Sequence, residues 1–401
     1  MTPRTTPLGR TEFIAMMAMI MATVAFSTDA MLPALPQIGA ELSPDAPNRA
    51  QLIVTSFLFG LGVGTLIVGP LADRFGRKPV ILYGAALYCF ASVLCFFSNT
   101  LDGMLAARVV MGIGSAAPRV LSVAMVRDLY SGRDMARILS FIMIIFTIFP
   151  AMAPAIGAGI MALTQWRGIF AAFAIFATLS TGWLMLRQPE TLAIKDRRPL
   201  RIRTLWSATR EVLAHPTARL SIMIQTLTMA MLFTVLSSTQ PVFDVAYGQG
   251  AHFHYWFAGI SLSAISASLL NAKLVMRMGM RAIIKAMFIG QMALSATMAI
   301  VVPIGLPTTI ELMFYVVWTA SVFFQVGLTI GNLNTLALEP MGHIAGTAAS
   351  LVTATATVGS VIIALPLGLS FDGTPLPFAI GFFILACLAF WLTTLIRRDT
   401  D

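Results

Sequence analysis

At 401 residues, 58% of them hydrophobic and only 11% charged, with a mean hydropathy of +0.85, the chain lacks the make-up of a soluble enzyme; ordinary globular chains carry about 25% charged residues. Its net charge of +9 is spread over particular loops and not gathered on one domain, which argues against nucleic acid and for a membrane protein. Twelve segments of about 20 apolar residues would take up about 240 residues and leave only short loops.

In chain order, Arg4 and Arg10 precede an apolar run that continues to about Leu35 without a convincing cleavage site, so it reads as a retained first helix and not a signal peptide. Apolar runs predict helices over 12–36, 49–72, 79–98, 101–128, 134–162 and 165–187. After a basic stretch they resume over 217–243, 253–277, 281–303, 308–334, 344–370 and 376–396. The expected fold is an all-α membrane protein of twelve transmembrane helices. It divides into a six-helix bundle over 1–187, a basic linker over 188–216 and a second six-helix bundle over 217–401. With both termini in the cytoplasm, only Arg49 and Arg167 of the 26 basic residues fall in opposite-side loops, while Arg108 and Arg119 lie inside the predicted 101–128 helix. That asymmetry sets the orientation.

The linker carries Lys195, Arg197, Arg198, Arg201, Arg203 and Arg210, a charge pattern attracted to anionic headgroups, and Leu205–Leu213 within it can lie as a short interfacial helix. A weak internal repeat is visible. A shift of 203 residues lays Arg74, Gly76 and Lys78 over Arg277, Gly279 and Arg281, while Asp73 falls on Met276 and Gly69 on Ala272. Two related halves are how transporters build alternating access.

Asp29 is the one acid well inside an apolar helix of the first half, in Ser-Thr-Asp-Ala-Met-Leu-Pro-Ala-Leu-Pro, where Pro33 and Pro36 loosen the outer end. Arg108 opens Arg-Val-Val-Met-Gly-Ile-Gly. Each is seven residues from its helix's expected outer end, about 10 Å deep, so antiparallel helices bring an acid and a base to similar depth. Ionisable groups in hydrocarbon are costly and face interior cavities. The pair reads either as a proton-coupling site or as a static ion pair that fixes two helices. Arg119 shares a face with Arg108, about 16 Å away, and either snorkels or lines a cavity. Gln225, Gln240 and Gln325 are further candidates for lining a substrate cavity. Pro150, Pro154, Gly157 and Gly159 mark the 134–162 helix as kinked and able to pack closely. Cys89, Cys95 and Cys387 fall in apolar runs and read as small packing residues, so neither a disulfide nor a metal site is expected. His252 and His254 flank Phe253 at a loop edge, Lys273 and Arg277 read as snorkelling bases, and Glu339 and His343 belong to a short loop. No phosphate-binding Gly-x-x-x-x-Gly-Lys-[Ser/Thr] run occurs and no nucleophile–base pair stands out, so the chain reads as a non-enzyme with no cofactor.

Between two apolar runs lies Gly69-Pro-Leu-Ala-Asp73-Arg74-Phe-Gly76-Arg77-Lys78-Pro79, too short and charged to lie in hydrocarbon. Gly76 is free to take a positive φ there, and Asp128 at the inner end of the 101–128 helix is placed to pair with Arg77. This loop resembles the Gly-x-x-x-Asp-Arg-x-Gly-Arg-Lys signature of the major facilitator superfamily at every one of those positions. Asp29 in its Thr-Asp-Ala-Met-Leu-Pro setting, Arg-x-x-x-Gly-x-Gly from Arg108, Val-Arg-Asp-Leu-Tyr at 126–130 and Trp-Arg at 166–167 resemble its Bcr/CflA group of drug:proton antiporters. The likeness spans the first half and is weaker in the second, chiefly Glu339–Gly346. The resemblance implies the superfamily fold and export of small antibacterials across a bacterial inner membrane, driven by protons. It implies that Gly69 and Asp73 meet the inner end of the 344–370 helix when the protein faces outward. It also implies an antiporter motif in the 134–162 helix, although Ala153 and Ala158 stand where glycine is usual. One acid and two arginines inside the first half favour substrates that are not dications. The expected partners are a drug-like small molecule, protons and the bilayer, with no nucleic acid, and the protein is expected to act as a monomer. An exporter of an endogenous metabolite and a non-transporting membrane receptor or scaffold remain as rivals.

Overall fold

A computed structural model describes residues 8–197 and 202–396. Arg4, Arg198 and Arg201 of the sequence reading lie outside the described residues, as does the side chain of Arg203. The described residues form helices and no strands. In chain order these are α1 (Arg10–Asp29), α2 (Leu35–Leu42), α3 (Leu52–Phe75), α4 (Arg77–Phe96), α5 (Leu101–Leu129), α6 (Gly132–Thr164) and α7 (Arg167–Arg187). They are followed by α8 (Ile202–Ala214), α9 (Pro216–Pro241), α10 (Phe253–Met278), α11 (Met280–Ile304), α12 (Thr308–Leu338), α13 (Ala345–Leu369) and α14 (Leu376–Thr394). Eleven stretches are long and apolar enough to cross a membrane, and one of them, Thr308–Leu369, holds two helices either side of the turn at 339–344. Twelve crossings result, within a few residues of the predicted ranges. The helix expected within the linker forms as α8, from Ile202 to Ala214.

The first crossing is the exception to a smooth run. α1 stops at Asp29, a 3-10 turn spans Leu32–Ala34 and α2 continues to Leu42, six residues beyond the predicted end. Pro33 is the cause. It sits four residues past Asp29, has no N–H to give to that residue's carbonyl, and its ring clashes there.

Contacts divide the chain into two compact units, Met1–Met31 with Ser56–Arg201, and Leu32–Thr55 with Ile202–Asp401. The excursion of 32–55 into the second unit has a polar cause. Ser238 Oγ on α9 donates to Gln51 Oε1 at 2.7 Å, and Asn48 Nδ2 donates to the Leu369 carbonyl at the end of α13 at 3.1 Å.

Each unit repeats one packing plan. In the first, α1 packs on α5, α6 and α7, and α4 packs on α5 and α7. In the second, α9 packs on α12, α13 and α14, and α11 packs on α12 and α14. The internal repeat also shows in the backbone. Gly76 (φ +106°) and Gly279 (φ +76°) both take positive φ at the N-caps of α4 and α11, a conformation open to glycine at no steric cost. The apolar centres of the spans beginning at Arg10 and Pro216 are the most enclosed, with 83% and 72% of their residues buried, so α1 and α9 are interior helices. Apolar side chains such as Leu163, Leu186 and Met276 stand on the outer surface, where a soluble protein would place polar ones.

Candidate functional site

Asp29 ends α1 and is 3% exposed; Arg108, on α5, is fully buried. Sequence placed this acid and base at one depth. Of the two readings left open by the sequence, the static ion pair between them is not formed. Asp29 makes no ion pair within 4.0 Å among the described residues. Instead Arg108 Nη2 donates to the backbone carbonyl of Ser27 at 3.1 Å, Nη1 lies 3.4 Å from the Met111 sulfur, and the guanidinium sits 4.4 Å over the Phe57 ring. The physical reason is the helix break. Carbonyls in the last turn of a helix run out of intrahelical donors and carry the negative end of its dipole, so a guanidinium is stabilised there. The same residue is held from its side chain. Ser27 Oγ donates to the Thr23 carbonyl at 2.8 Å and is hydrogen-bonded to the Tyr88 hydroxyl on α4. Arg108 thus fastens the broken end of α1, while the carboxylate two residues on is left without a counter-ion.

α6 meets that break at Gly157. A Cβ built on Gly157 would lie 2.1 Å from the Ala30 carbonyl oxygen, so only glycine permits this approach. Pro150 and Pro154 lie inside α6 one turn apart, with Pro154 buried and Pro150 half-buried. Gly159 faces open space, with nothing within 4 Å of a Cβ placed there.

The junction of α3 and α4 is a second cluster; the segment expected as a loop over Gly69–Pro79 is helical up to Phe75 and again from Arg77, with Gly76 alone between the two helices. Arg77 bridges two acids, with Nη1 2.7 Å from Asp73 Oδ1 and Nε 3.2 Å from Asp128 Oδ2 on α5. Lys78 Nζ donates to the Met185 carbonyl at 2.8 Å, and Arg74 stacks over its neighbour Phe75. Gly69 lies within α3, half-buried.

Sequence reasoning missed the residue that organises this cluster. Glu190, just past α7, accepts from the backbone N–H of Arg77 and Lys78 at 2.9 and 3.0 Å, and from those of Thr191 and Leu192 at 2.9 Å each. It satisfies the exposed donors at the start of α4 and places negative charge at that helix's positive end. Thr191 Oγ1 adds a bond to Asp128 at 2.9 Å. The available signal was an acid in Pro-Glu-Thr-Leu at the head of a basic stretch. Replacing Glu190 by Gln keeps the size and removes the charge; it is expected to cost about 1–2 kcal/mol, read as a lower melting temperature of the detergent-purified protein. An unchanged melting curve would show that the carboxylate does not secure the loop.

Arg119, one residue after Pro118 on α5, is half-buried and has no hydrogen-bond or ion-pair partner among the described residues. Gln225 and Gln240 lie on α9 and Gln325 on α12, all buried, with side-chain amide atoms that find no protein partner. No group of three or more His, Cys, Asp or Glu among the described residues is arranged to hold a metal ion.

The comparisons with known proteins agree on the kind of chain. A family model described as Major Facilitator Superfamily matches residues 17–364. The bicyclomycin resistance protein homolog of Haemophilus influenzae is 28% identical over 395 residues, 95% of this chain and 96% of that one. The multidrug resistance protein MdtL of Escherichia fergusonii is 36% identical over 173 residues, 43% of this chain and 42% of its own. Among solved structures, the xylose transporter XylE from E. coli superposes with a TM-score of 0.73 at 13% identity, covering 98% of this chain and 99% of XylE. At that identity the likeness is one of fold alone.

Proposed function

The chain belongs to the Major Facilitator Superfamily, a multi-pass membrane transporter and not an enzyme, and on that premise we propose that it exports drug-like small molecules in exchange for protons. The observation that carries the coupling is Asp29, an acid buried at a helix break with no counter-ion within 4.0 Å among the described residues. A carboxylate in such a place can be neutralised by a proton, and releasing that proton on the opposite side of the membrane couples its flow to a change of access. Arg108, tied to the Ser27 carbonyl of the same helix end, is the positioning residue for this site. The drug-like substrate is supported by the bicyclomycin resistance and multidrug resistance relatives, and the half-buried cation at Arg119 disfavours dications. The protein acts as a monomer in a bacterial inner membrane with both termini in the cytoplasm, an orientation supported by the distribution of its bases. The loop of Gly69, Asp73, Arg74, Gly76, Arg77 and Lys78, held to Asp128 and Glu190, is the latch of the conformational cycle. Asp73→Asn is therefore expected to slow turnover and leave substrate affinity unchanged, checked by comparing transport rate with equilibrium binding.

The test is uptake of a labelled compound panel into inverted membrane vesicles energised by respiration. Uptake of at least one drug-like compound that collapses on adding a protonophore is the expected result. Uptake indifferent to the protonophore would overturn proton coupling. Uptake of endogenous metabolites alone would replace the drug reading with that of a metabolite exporter.

A further inference from the structure

The internal repeat is unequal in charge. In its first copy the bases around Gly76 are matched by acids. Arg77 bridges Asp73 and Asp128, and Glu190 accepts from the N–H groups of Arg77 and Lys78. The shift of 203 residues lays Met276 on Asp73, Gly331 on Asp128 and Thr393 on Glu190, so the second copy keeps the turn and lacks all three acids. The deficit is wider than those positions. From Val245 to Ile310 the sequence holds no Asp or Glu, and the Lys and Arg residues of that stretch are Lys273, Arg277, Arg281 and Lys285.

Those bases line the two arms of one turn. Lys273 and Arg277 are one helical turn apart on α10, Arg281 and Lys285 one turn apart on α11, and Gly279 alone separates the helices. Arg277 and Arg281 each lie about 1.5 Å from their helix end, and Lys273 and Lys285 each about 8 Å, so the bases form two levels. Behind them the arms are joined by Leu274 and Val275 of α10 and Ile283 and Met287 of α11, which pack in one apolar cluster with Leu328 of α12. Lys273 and Arg277 are exposed and Lys285 is half-buried. None of these three has an ion-pair or hydrogen-bond partner among the described residues. Like charges so close repel one another, and an anion held among them relieves that repulsion.

The surface beside the bases is apolar. Met276 is 87% exposed, and Leu269, one turn before Lys273, also stands outside. A soluble anion would match the charge and leave those side chains uncovered. A ligand with an anionic head and hydrocarbon chains matches both.

We propose that the turn between α10 and α11 is a binding site for an anionic phospholipid, with its phosphate among Lys273, Arg277 and Lys285 and its chains against Met276 and Leu269. The site stands apart from the exported substrate and from proton coupling, and needs neither.

The test is native mass spectrometry of the full-length protein, purified in detergent and stripped of lipid, then titrated with phosphatidylglycerol or with phosphatidylcholine of the same chains. Wild type is expected to hold phosphatidylglycerol about tenfold more tightly or better. Lys273→Gln, Arg277→Gln and Lys285→Gln are each expected to weaken it about fivefold, the worth of one base beside an anionic headgroup, and to leave phosphatidylcholine unchanged. Met276→Asp removes no base and returns the acid that the first copy has, at an exposed position. It is expected to weaken phosphatidylglycerol by a similar factor, and it decides the matter should a glutamine variant aggregate. Equal retention of the two lipids by wild type, or retention of phosphatidylglycerol unchanged in all four variants, overturns the site. Displacement of phosphatidylglycerol by glycerol 1-phosphate at equal concentration would show that a soluble anion suffices and would overturn the lipid assignment.

Discussion

Asp29→Asn is expected to abolish proton-driven accumulation of substrate while leaving downhill exchange in place. The replacement matches the carboxylate in size at a position that is 3% exposed, and no ion-pair partner is orphaned by it among the described residues. What disappears is, among the described residues, the only acid buried in the first unit. The effect on accumulation is large. An elementary charge crossing 100 mV supplies about 2.3 kcal/mol, which for a neutral substrate sustains a gradient of about fiftyfold per proton, and the pH difference adds to it. A variant that cannot carry the proton falls to a gradient of about one, since it retains binding and access change but no drive. Inverted vesicles containing wild type or Asp29→Asn, compared for energised uptake and for exchange at equal proton potential, separate the two quantities. Energised uptake that survives in the variant would move the proton site off Asp29. Loss of exchange together with uptake would show that the side chain holds the fold and does not carry the proton.

The helical layout was legible because a hydrocarbon layer demands runs of about 20 apolar residues, and those runs are separated by short charged or Pro/Gly-bearing loops. What sequence did not show concerns partners supplied by the backbone. An acid and a base at one depth suggest an ion pair, yet Arg108 goes to the Ser27 carbonyl, a group that every residue has and no sequence pattern marks. Glu190 is a similar case. Its partners are the N–H groups of Arg77 and Lys78, more than a hundred residues earlier, and only folding reveals that α4 begins against it. The helix break was half legible. Pro33 announces a disturbance, but that α1 stops at Asp29 itself follows from the reach of a proline ring back four residues. Segment 32–55 reads as part of the first six helices along the chain and joins the second unit through Asn48 and Gln51, polar residues without a distinguishing pattern.

The two α6 glycines of the antiporter-like motif give the sharpest contrast between motif and geometry. As members of a motif, Gly157 and Gly159 are equivalent. In the structure they are not. A methyl group on Gly157 would sit 2.1 Å from the Ala30 carbonyl oxygen and 2.9 Å from its carbon, and these are backbone atoms that cannot swing aside. Either α6 retreats or the end of α1 moves, and Asp29 is the residue before Ala30. Gly157→Ala is therefore expected to cost about 1–3 kcal/mol, seen as a lower melting temperature, and to reduce proton-driven uptake far more than substrate binding. Gly159→Ala places its methyl group where nothing lies within 4 Å and is expected to be close to wild type in both assays. Equal loss from the two substitutions would favour a role for the motif in some other conformation. Wild-type behaviour from Gly157→Ala would mean that the close approach of α6 to the broken end of α1 does not hold the proton site. Because the two residues lie in one helix and undergo the same chemical change, the comparison isolates contact with Ala30 from any general effect of alanine on α6.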